Sequence, residues 1–373
     1  MARPISFASS ESHSRRRAEF SARLAERGID TAFVSDPVSV AYLSGFHCEP
    51  HERLLALVLR GDDATLVVPA LEAENAAQAV SGVGIQAWQD GQDPGVELSS
   101  LLRHPRSLGV EAEKISLAGS ERVRNWAAGA ELIDVGAELT RLRRIKGADE
   151  IELLERGALI TDRIWEALSP SLRPGVSEVD LALELAAQIR RAGAEESFPA
   201  LVQSGPNSAL PHLGPQPRPL GRGEPVLLDF GAAWGGYRAD LTRMAVLGEP
   251  DRRLLQVHEA VLAAHDHALS VIRPGQTAGG VDRAARSVLE DFGLGPNFIH
   301  RLGHGLGLQA HEEPSLEPGS ELVLEPGMVI TVEPGAYFAG WGGVRIEDSI
   351  VVTKDGSRRL THCPTGLTVL PTA

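Results

Sequence analysis

Five potential metal ligands occur in the C-terminal part of the chain, in the order Asp, Asp, His, Glu, Glu. They are Asp229, Asp240, His304, Glu333 and Glu347. Hard oxygen donors combined with one imidazole suit a pair of divalent ions that activate water. A single Asp or Glu is usually a solvated surface acid. The case for hydrolysis at a metal centre therefore depends on whether these side chains come together.

The two aspartates fit the arms of one β-hairpin. Asp229 ends the apolar run 226–228, and Asp240 follows the turn-prone segment 233–236. A turn centred just after Trp234 would place the aspartates directly opposite each other, with Cβ atoms roughly 4.5–5.5 Å apart. We therefore predict that Asp229 and Asp240 face each other.

The two glutamates fit a second hairpin in the same way. Residues 329–333 and 344–347 are strand-like and flank a glycine-rich connection centred on Gly340. This centre predicts that Glu333 and Glu347 also lie opposite each other. Opposed like charges are destabilising unless a cation lies between them. Four carboxylates carry about −4 and two divalent cations +4, so we predict a dinuclear metal centre.

Composition limits what the protein can be. A chain of 373 residues exceeds the usual size of one domain, so we expect two. The 36 basic and 50 acidic residues give a net charge of −14, which argues against nucleic acid or an anionic membrane as the main partner. Two cysteines without CxxC spacing form no disulfide framework. With no secretory signal and no run of ~20 apolar residues, we expect a cytoplasmic protein.

Residues 1–140 are predicted to form a small α/β domain, because helical and strand-like segments alternate there. The helical segments are 17–27, 71–80 and 120–129, and the strand-like segments are 31–35, 54–59, 64–68 and 107–110. The basic run within 136–148 is typical of a solvated linker or helix face.

Residues 141–373 are predicted to form a second domain. Its helical segments are 149–168, 179–192 and 254–271. They alternate with hairpins instead of single strands. This pattern predicts an α+β fold with antiparallel sheets, not a doubly wound parallel sheet.

The motifs of the second domain resemble those of the Xaa-Pro peptidases, within the creatinase and methionine aminopeptidase superfamily. The motifs are Ser197-Phe198-Pro199, Ser204-Gly205-Pro206-Asn207, Pro211-His212, Leu228-Asp229-Phe230-Gly231, Asp240-Leu241-Thr242-Arg243, Gly303-His304-Gly305, His311-Glu312-Glu313-Pro314, Val332-Glu333-Pro334-Gly335 and Val344-Arg345-Ile346-Glu347-Asp348. The first domain is similar to the family's amino-terminal domain through Tyr42-Leu43-Ser44-Gly45-Phe46 and Gly109-Val110-Glu111. The resemblance implies a creatinase-like N-terminal domain and a "pita-bread" metallopeptidase domain, whose two similar halves enclose a dinuclear metal site.

The resemblance also assigns roles to the five ligands. It implies that Asp229 and Asp240 bind one ion, that Asp240 and Glu347 bridge both, and that His304 and Glu333 complete the second. Manganese is the expected metal, and cobalt or zinc would also suit one imidazole and four carboxylates.

The resemblance further implies catalytic roles for His212, His311, Glu333 and Arg345. The two histidines match residues that move protons or contact the scissile carbonyl, and Glu333 takes and returns a proton. Because His311 lies seven residues after His304, a bend must bring both side chains inward. Arg345 is expected to offset the negative charge of the site, in a hydrogen-bond chain with Asp229 and Tyr337.

The substrate pocket is expected to hold proline-containing peptides. A peptide bond to proline has no N–H and carries a rigid ring, so it needs a dedicated pocket. His300 is either part of this pocket or a packing residue. The residues expected to contact substrate are Phe198, His212, His300, His311 and Tyr337.

The choice between a dipeptidase and an aminopeptidase depends on a cation. A dipeptidase should hold the free carboxylate of proline, because burying it unpaired is unfavourable. Prolidases commonly place an arginine just after the histidine motif, but here Ser315 follows, and residues 316–321 include no Arg or Lys. We therefore predict an Xaa-Pro aminopeptidase. The alternative is an Xaa-Pro dipeptidase whose cation comes from Arg218, Arg222, the other domain or another subunit.

Three further hypotheses are weaker. A methionine aminopeptidase shares the five ligands, but it typically lacks the Pro211-His212 element and such an amino-terminal domain. A metal-free creatinase-like hydrolase would not need the intact ligand set. A non-catalytic binding or interaction protein of this fold would be expected to have lost ligands, and none is missing. A homodimer is implied by analogy.

Overall fold

The structure is a computed structural model that describes residues 9–168 and 171–372. The chain divides into two compact units, Met1–Arg143 and Arg144–Ala373. The sequence pattern placed this division after residue 140. Within the described ranges, no helix has the length and apolar character needed to cross a membrane.

The first unit is built around one mixed sheet. Its strands are β1 (Thr31–Val34), β2 (Ala56–Arg60), β3 (Asp63–Pro69), β4 (Gly84–Trp88), β5 (Ser107–Val110) and β6 (Glu131–Asp134), in the order β4-β3-β2-β1-β5-β6. Its helices are α1 (Ser10–Glu26), α2 (Pro37–Ser44), α3 (Ala73–Ala79), α4 (Gly95–Leu102), α5 (Leu117–Trp126) and α6 (Gly136–Arg144). Strand β1 pairs antiparallel with β2 and parallel with β5. The predicted α/β character is confirmed.

The sequence pattern missed several short elements of this unit. Residues 39–44 of α2 are all buried, its two serines included, so its sequence shows no helical periodicity, although Asp36 caps the helix and Pro37 opens it. Strands β4 and β6 are only partly buried, which blurs their alternation. Arg141, Arg143 and Arg144 of the basic run lie in helix α6, in line with the helix-face interpretation. Lys146 departs from it, because it follows the helix and is buried, with its Nζ 3.3 Å from Glu312 Oε2.

The second unit contains two halves with similar order, in each of which a long helix and a shorter helix precede antiparallel strands. The first half comprises α7 (Ala148–Leu168), α8 (Glu178–Arg191), β7 (Glu195–Glu196), β8 (Leu201–Ser204), β9 (Pro225–Phe230), β10 (Ala232–Trp234), β11 (Tyr237–Arg238) and β12 (Leu241–Leu247). The second half comprises α9 (Arg252–Val271), α10 (Ala278–Asp291), β13 (Gly303–Gly305), β14 (Glu312–Leu316), β15 (Val329–Val332), β16 (Gly335–Phe338), β17 (Gly342–Arg345), β18 (Asp348–Val352), β19 (Ser357–Arg359) and β20 (Thr368–Leu370). Predominantly antiparallel pairing confirms the α+β prediction.

Strand β9 separates two hydrophobic cores. Val226 and Leu228 pack into the core that contains α7 and α8, whereas Leu227 packs into the core that contains α9 and α10. A strand buried on both faces has a continuous apolar sequence instead of an alternating one. Asp229, which continues this run, is consequently carried into the interior.

The predicted register of the first hairpin is wrong by two residues. Asp229 pairs with Thr242, and the turn is centred on Gly235 and Gly236 instead of after Trp234. Both glycines have positive φ angles, 58° and 82°. Tight two-residue hairpin turns require this conformation at both central positions, and glycine adopts it without steric strain. A shift of two residues leaves each side chain on the same face of the strand. Asp229 and Asp240 therefore still lie on one face, as predicted, although they are not directly opposite each other.

The predicted register of the second hairpin is correct, but the hairpin is interrupted. Val332 pairs with Asp348 in one ladder, and Gly335 pairs with Arg345 in another. Glu333 and Glu347 occupy the gap between these ladders, where the same register places them opposite each other. Proline at position 334 has no N–H to donate, so the ladder breaks there.

Candidate functional site

The five predicted metal ligands meet between the two halves of the second unit. Asp240, His304 and Glu347 each bring one ligand atom into a group whose members lie within 4.8 Å of one another. His304 Nε2 lies 3.2 Å from Glu333 Oε1 and 4.0 Å from Asp240 Oδ2. All except the partly exposed Glu333 are at least 92% buried.

This cluster fits divalent cations and is unfavourable without them. Asp229 Oδ1 and Asp240 Oδ1 are buried without a hydrogen-bond partner. Burial raises the pKa of Asp240 well above its usual value, and repulsion by Glu347 raises it further. The pKa of Glu347 is raised in the same way, by burial and then by Glu333. Buried carboxylate oxygens without a hydrogen-bond partner, and repulsion between neighbouring carboxylates, are expected where hard cations supply the missing positive charge.

His304 is oriented for metal binding by its own backbone neighbour. Its Nδ1 lies 3.1 Å from the carbonyl oxygen of Gly305. Since a carbonyl can only accept, Nδ1 carries the proton, and the lone pair of Nε2 is directed toward Glu333 and Asp240. Without a metal ion, Nε2 can take up a proton and donate to Glu333 Oε1. Burial raises the pKa of Glu333, but the hydrogen bond and charge of this protonated His304 outweigh it, and the pKa falls to about 2.

Arg345 links the cluster to the pocket wall. Its Nη2 donates to Asp229 Oδ2 at 2.5 Å, and its Nη1 donates to the Tyr337 hydroxyl at 3.0 Å. His300 Nδ1 donates to the carbonyl oxygen of Arg301 at 2.7 Å, so its Nε2 accepts from the Tyr337 hydroxyl at 2.9 Å. The contacts predicted between Arg345, Asp229 and Tyr337 are therefore present.

Thr242 is a site residue that the sequence did not single out. Its hydroxyl donates to Glu347 Oε2 at 2.6 Å and accepts from Arg345 Nε at 3.1 Å. It thereby fixes one oxygen of Glu347 and leaves the other free. The signal was the register of the first hairpin, because the residue opposite Asp229 in β12 must point toward the same cluster.

A cavity of about 570 Å³ opens over the ligands. It is lined by Phe198, Pro199, Leu201, Pro211, His212, Asp229, Asp240, His300, Arg301, His304, His311, Glu333, Arg345 and Glu347. Phe198 and the three histidines predicted for the substrate pocket are in this lining. Tyr337 lies behind it, where its hydroxyl is engaged by Arg345 and His300. This geometry supports both interpretations of His300, since its ring packs on Tyr337 and borders the cavity.

His304 and His311 are brought together by a reversal of the chain. Their ring centroids are 4.2 Å apart. Strands β13 and β14 are antiparallel and carry a bulge beside His304, which supplies the bend that the odd spacing requires. Partial burial lowers the pKa of His311 to about 4, helped by the positive charges of His304 and Arg301. His311 is consequently neutral near pH 7.

Arg301 supplies the pocket cation that the sequence pattern missed. It lines the cavity, and its Nη1 donates to Ser315 Oγ at 3.1 Å. The antiparallel pairing of Gly303 with Leu316 brings the two residues together. The other proposed cations are used elsewhere: Arg218 pairs with Glu224, and Arg222 donates to the backbone of Thr372. The useful sequence signal was an arginine next to His300.

Comparisons with known proteins cover almost the whole chain. Residues 152–354 match the model of metallopeptidase family M24, and residues 16–145 match the creatinase/prolidase N-terminal domain. An Xaa-Pro dipeptidase from Lactobacillus helveticus is 34% identical over 356 residues, which cover 93% of this chain and 97% of that protein.

Solved structures are also similar to this chain over almost its whole length. The structure of an Xaa-Pro dipeptidase from Bacillus anthracis aligns with a TM-score of 0.90 and 33% identity, covering 97% of this chain and 100% of that one. An X-Pro aminopeptidase from Thermotoga maritima aligns with a TM-score of 0.86 and 29% identity, covering 93% and 99%. These matches confirm the creatinase-like domain and the pita-bread domain. The chain belongs to metallopeptidase family M24.

Proposed function

We propose that the protein is an Xaa-Pro dipeptidase, which cleaves the bond between the first residue and proline and releases free proline. The sequence favoured an Xaa-Pro aminopeptidase because no basic residue follows the His311 motif. The comparisons support the alternative better, since the relatives named Xaa-Pro dipeptidase share 34% and 33% identity with this chain, against 29% for the aminopeptidase.

The observation that carries the proposal is the position of Arg301 in the cavity. Its guanidinium reaches the side chain of Ser315, the residue where the sequence lacked the expected arginine. A charge-assisted pair with the proline carboxylate would offset the desolvation of that carboxylate. A longer peptide has an amide at this position and would leave the guanidinium without an anionic partner.

The ligand cluster suits two divalent ions held by Asp229, Asp240, His304, Glu333 and Glu347. When bound, such ions polarise the carbonyl group and lower the pKa of water. Manganese as the native metal, a dimer as the assembly and the cytoplasm as the location stay predictions from the sequence.

The protein side chains have separate tasks in the proposed reaction. Glu333 is ionised at neutral pH and takes a proton from the attacking water. It returns this proton to the proline nitrogen as the carbon–nitrogen bond breaks. His212 and neutral His311 border the cavity and donate hydrogen bonds to the oxygen of the scissile carbonyl as its charge develops.

The test is a competition among three substrates that share one scissile bond. Ala-Pro, Ala-Pro amide and Ala-Pro-Ala are mixed in equal amounts with the manganese-loaded protein, and mass spectrometry follows their loss beside a chelated control. We expect Ala-Pro to disappear first and only when metal is present. Faster loss of Ala-Pro-Ala would identify an aminopeptidase. If no peptide is consumed, the non-catalytic interaction hypothesis gains support.

A further inference from the structure

His212, a predicted catalytic histidine of the cavity, lies in a surface turn outside regular secondary structure. His212 is exposed and follows the 3-10 turn Gly205–Ala209, whereas His300 and His304 are anchored beside or within strands. The hydrogen bond from Leu213 N to the carbonyl oxygen of Leu210 closes a β-turn around Pro211 and His212. Proline at the second position favours such a turn. One hydrogen bond on the surface is a weak constraint for a catalytic side chain.

Gln203 adds a second constraint on the same turn. It lies in strand β8, and its side chain is 0% exposed. Its Nε2 donates to the carbonyl oxygens of Leu210 and Leu213, each at 2.8 Å. These two carbonyls belong to the first and last residues of the turn. One amide group therefore donates hydrogen bonds to both ends of the segment that carries His212.

Glu178 holds the surrounding loop from the other side. This fully buried carboxylate accepts hydrogen bonds from Ser204 N and from Gln216 N, the two ends of the loop. It also accepts from Ser204 Oγ and, through both oxygens, from Asn207 Nδ2. A buried carboxylate satisfied by this many donors is a rigid anchor. Gln203 and Glu178 therefore constrain the loop at four backbone positions.

We propose that Gln203 and Glu178 are positioning residues for His212, which keep its imidazole in the substrate cavity. The inference rests on the proposed function, because the rate of Xaa-Pro hydrolysis is its main readout. Neither residue is in the lining of the cavity, so both act through the loop. Displacing a catalytic group by about 1 Å can lower a rate by about 100-fold.

A double-mutant cycle separates this role from general stability. Gln203→Met removes both donors while keeping the length of the side chain and burying no charge. We expect it to lower kcat/KM for Ala-Pro by about 100-fold when His212 is present, and by less than about 3-fold in the His212→Ala background. Metal content should equal that of the unaltered protein in all four proteins. Gln188→Met, on the surface of α8, is the matched control and should leave kcat/KM unchanged.

The double-mutant cycle distinguishes an effect that passes through His212 from one that does not. Equal losses in the two backgrounds would show that Gln203 does not act through His212 and would overturn the inference. If Gln203→Met does not fold, Asn207→Ala tests the same claim, because it removes the hydrogen bonds of Asn207 to Glu178 and leaves the other hydrogen bonds of the loop in place. Asn207→Ala should likewise lower kcat/KM only when His212 is present. An unaltered protein that does not hydrolyse Ala-Pro would refute the proposed function instead.

Discussion

Arg345 donates a hydrogen bond from Nη2 to Asp229 Oδ2 across 2.5 Å, inside a cluster of four carboxylates. The same guanidinium donates to Tyr337 and Thr242, so all three of its nitrogens are used. A planar guanidinium presents its donors in fixed directions, whereas the three donors of an ammonium group rotate on a flexible stem. Arg345 thus supplies one positive charge to the cluster and also orients one oxygen of Asp229.

We predict that Arg345→Lys lowers kcat/KM for Ala-Pro by about 100-fold, because the positive charge remains but the geometry of Asp229 and Tyr337 is lost. Metal content should fall as well. Steady-state kinetics and elemental analysis on the same samples measure both effects. Arg253→Lys is the control, since Arg253 is exposed and stacks on Phe338 and Trp341 outside the cavity. Unaltered kinetics in Arg345→Lys would show that only charge matters at this position.

Arg301 gives a prediction about substrate choice. Arg301→Met should raise KM for Ala-Pro by about 10- to 100-fold, because a hydrogen bond to a charged group contributes ~1.5–3 kcal/mol. KM for Ala-Pro amide should hardly change, since that substrate has no carboxylate. Kinetics on the two substrates supply the comparison, and Arg283→Met on the exposed face of α10 is the control. Equal increases for both substrates would contradict the carboxylate contact.

Much of the site was predictable because its spacing reflects strand pairing. The register of Glu333 and Glu347 followed from a symmetric arrangement around Gly340, and the pairing of Val332 with Asp348 bears it out. The register of Asp229 and Asp240 was wrong because the positive φ angles of two adjacent glycines decide where a tight turn lies. An apolar pattern alone does not contain that information.

Contacts between distant segments were not predictable from spacing. Arg301 reaches Ser315 because β13 and β14 lie side by side, and a search for a cation after His311 could not detect this. Short elements such as α2 were missed because burial on all sides removes the periodicity on which such predictions depend. The two domain types, by contrast, were evident from how helices and strands alternate.

The raised pKa values predict that metal binding releases protons. Burial and mutual repulsion keep Asp240 and Glu347 protonated at pH values where an isolated carboxyl group has ionised. A metal ion must displace these protons, so its affinity should increase as the pH rises. Calorimetric titration with manganese at pH 5.5 and 7.5, in buffers of different ionisation enthalpy, measures both affinity and proton release. Affinity that is independent of pH would contradict the assigned ligands.

Substitution of Glu347 should affect the metal-free and metal-loaded proteins in opposite directions. Its pKa is higher in the folded protein than in the unfolded chain, so the metal-free fold loses stability as the pH rises above the ordinary carboxyl value of about 4. Glu347→Gln removes this repulsion. At pH 7.5 the metal-free variant should unfold a few degrees above the metal-free unaltered protein, and manganese should stabilise the variant less. Thermal unfolding with and without manganese measures both effects. A metal-free variant that unfolds at a lower temperature would argue against carboxylate repulsion at this site.

A titration of activity with metal tests whether hydrolysis depends on the ligand cluster. The protein is stripped with a chelator, and manganese is added back stepwise while the release of proline from Ala-Pro is measured. We expect no release from the stripped protein and a rate that saturates at about two metal equivalents per chain. Proline release by the stripped protein, or none at saturating manganese, would contradict metal-dependent Xaa-Pro hydrolysis.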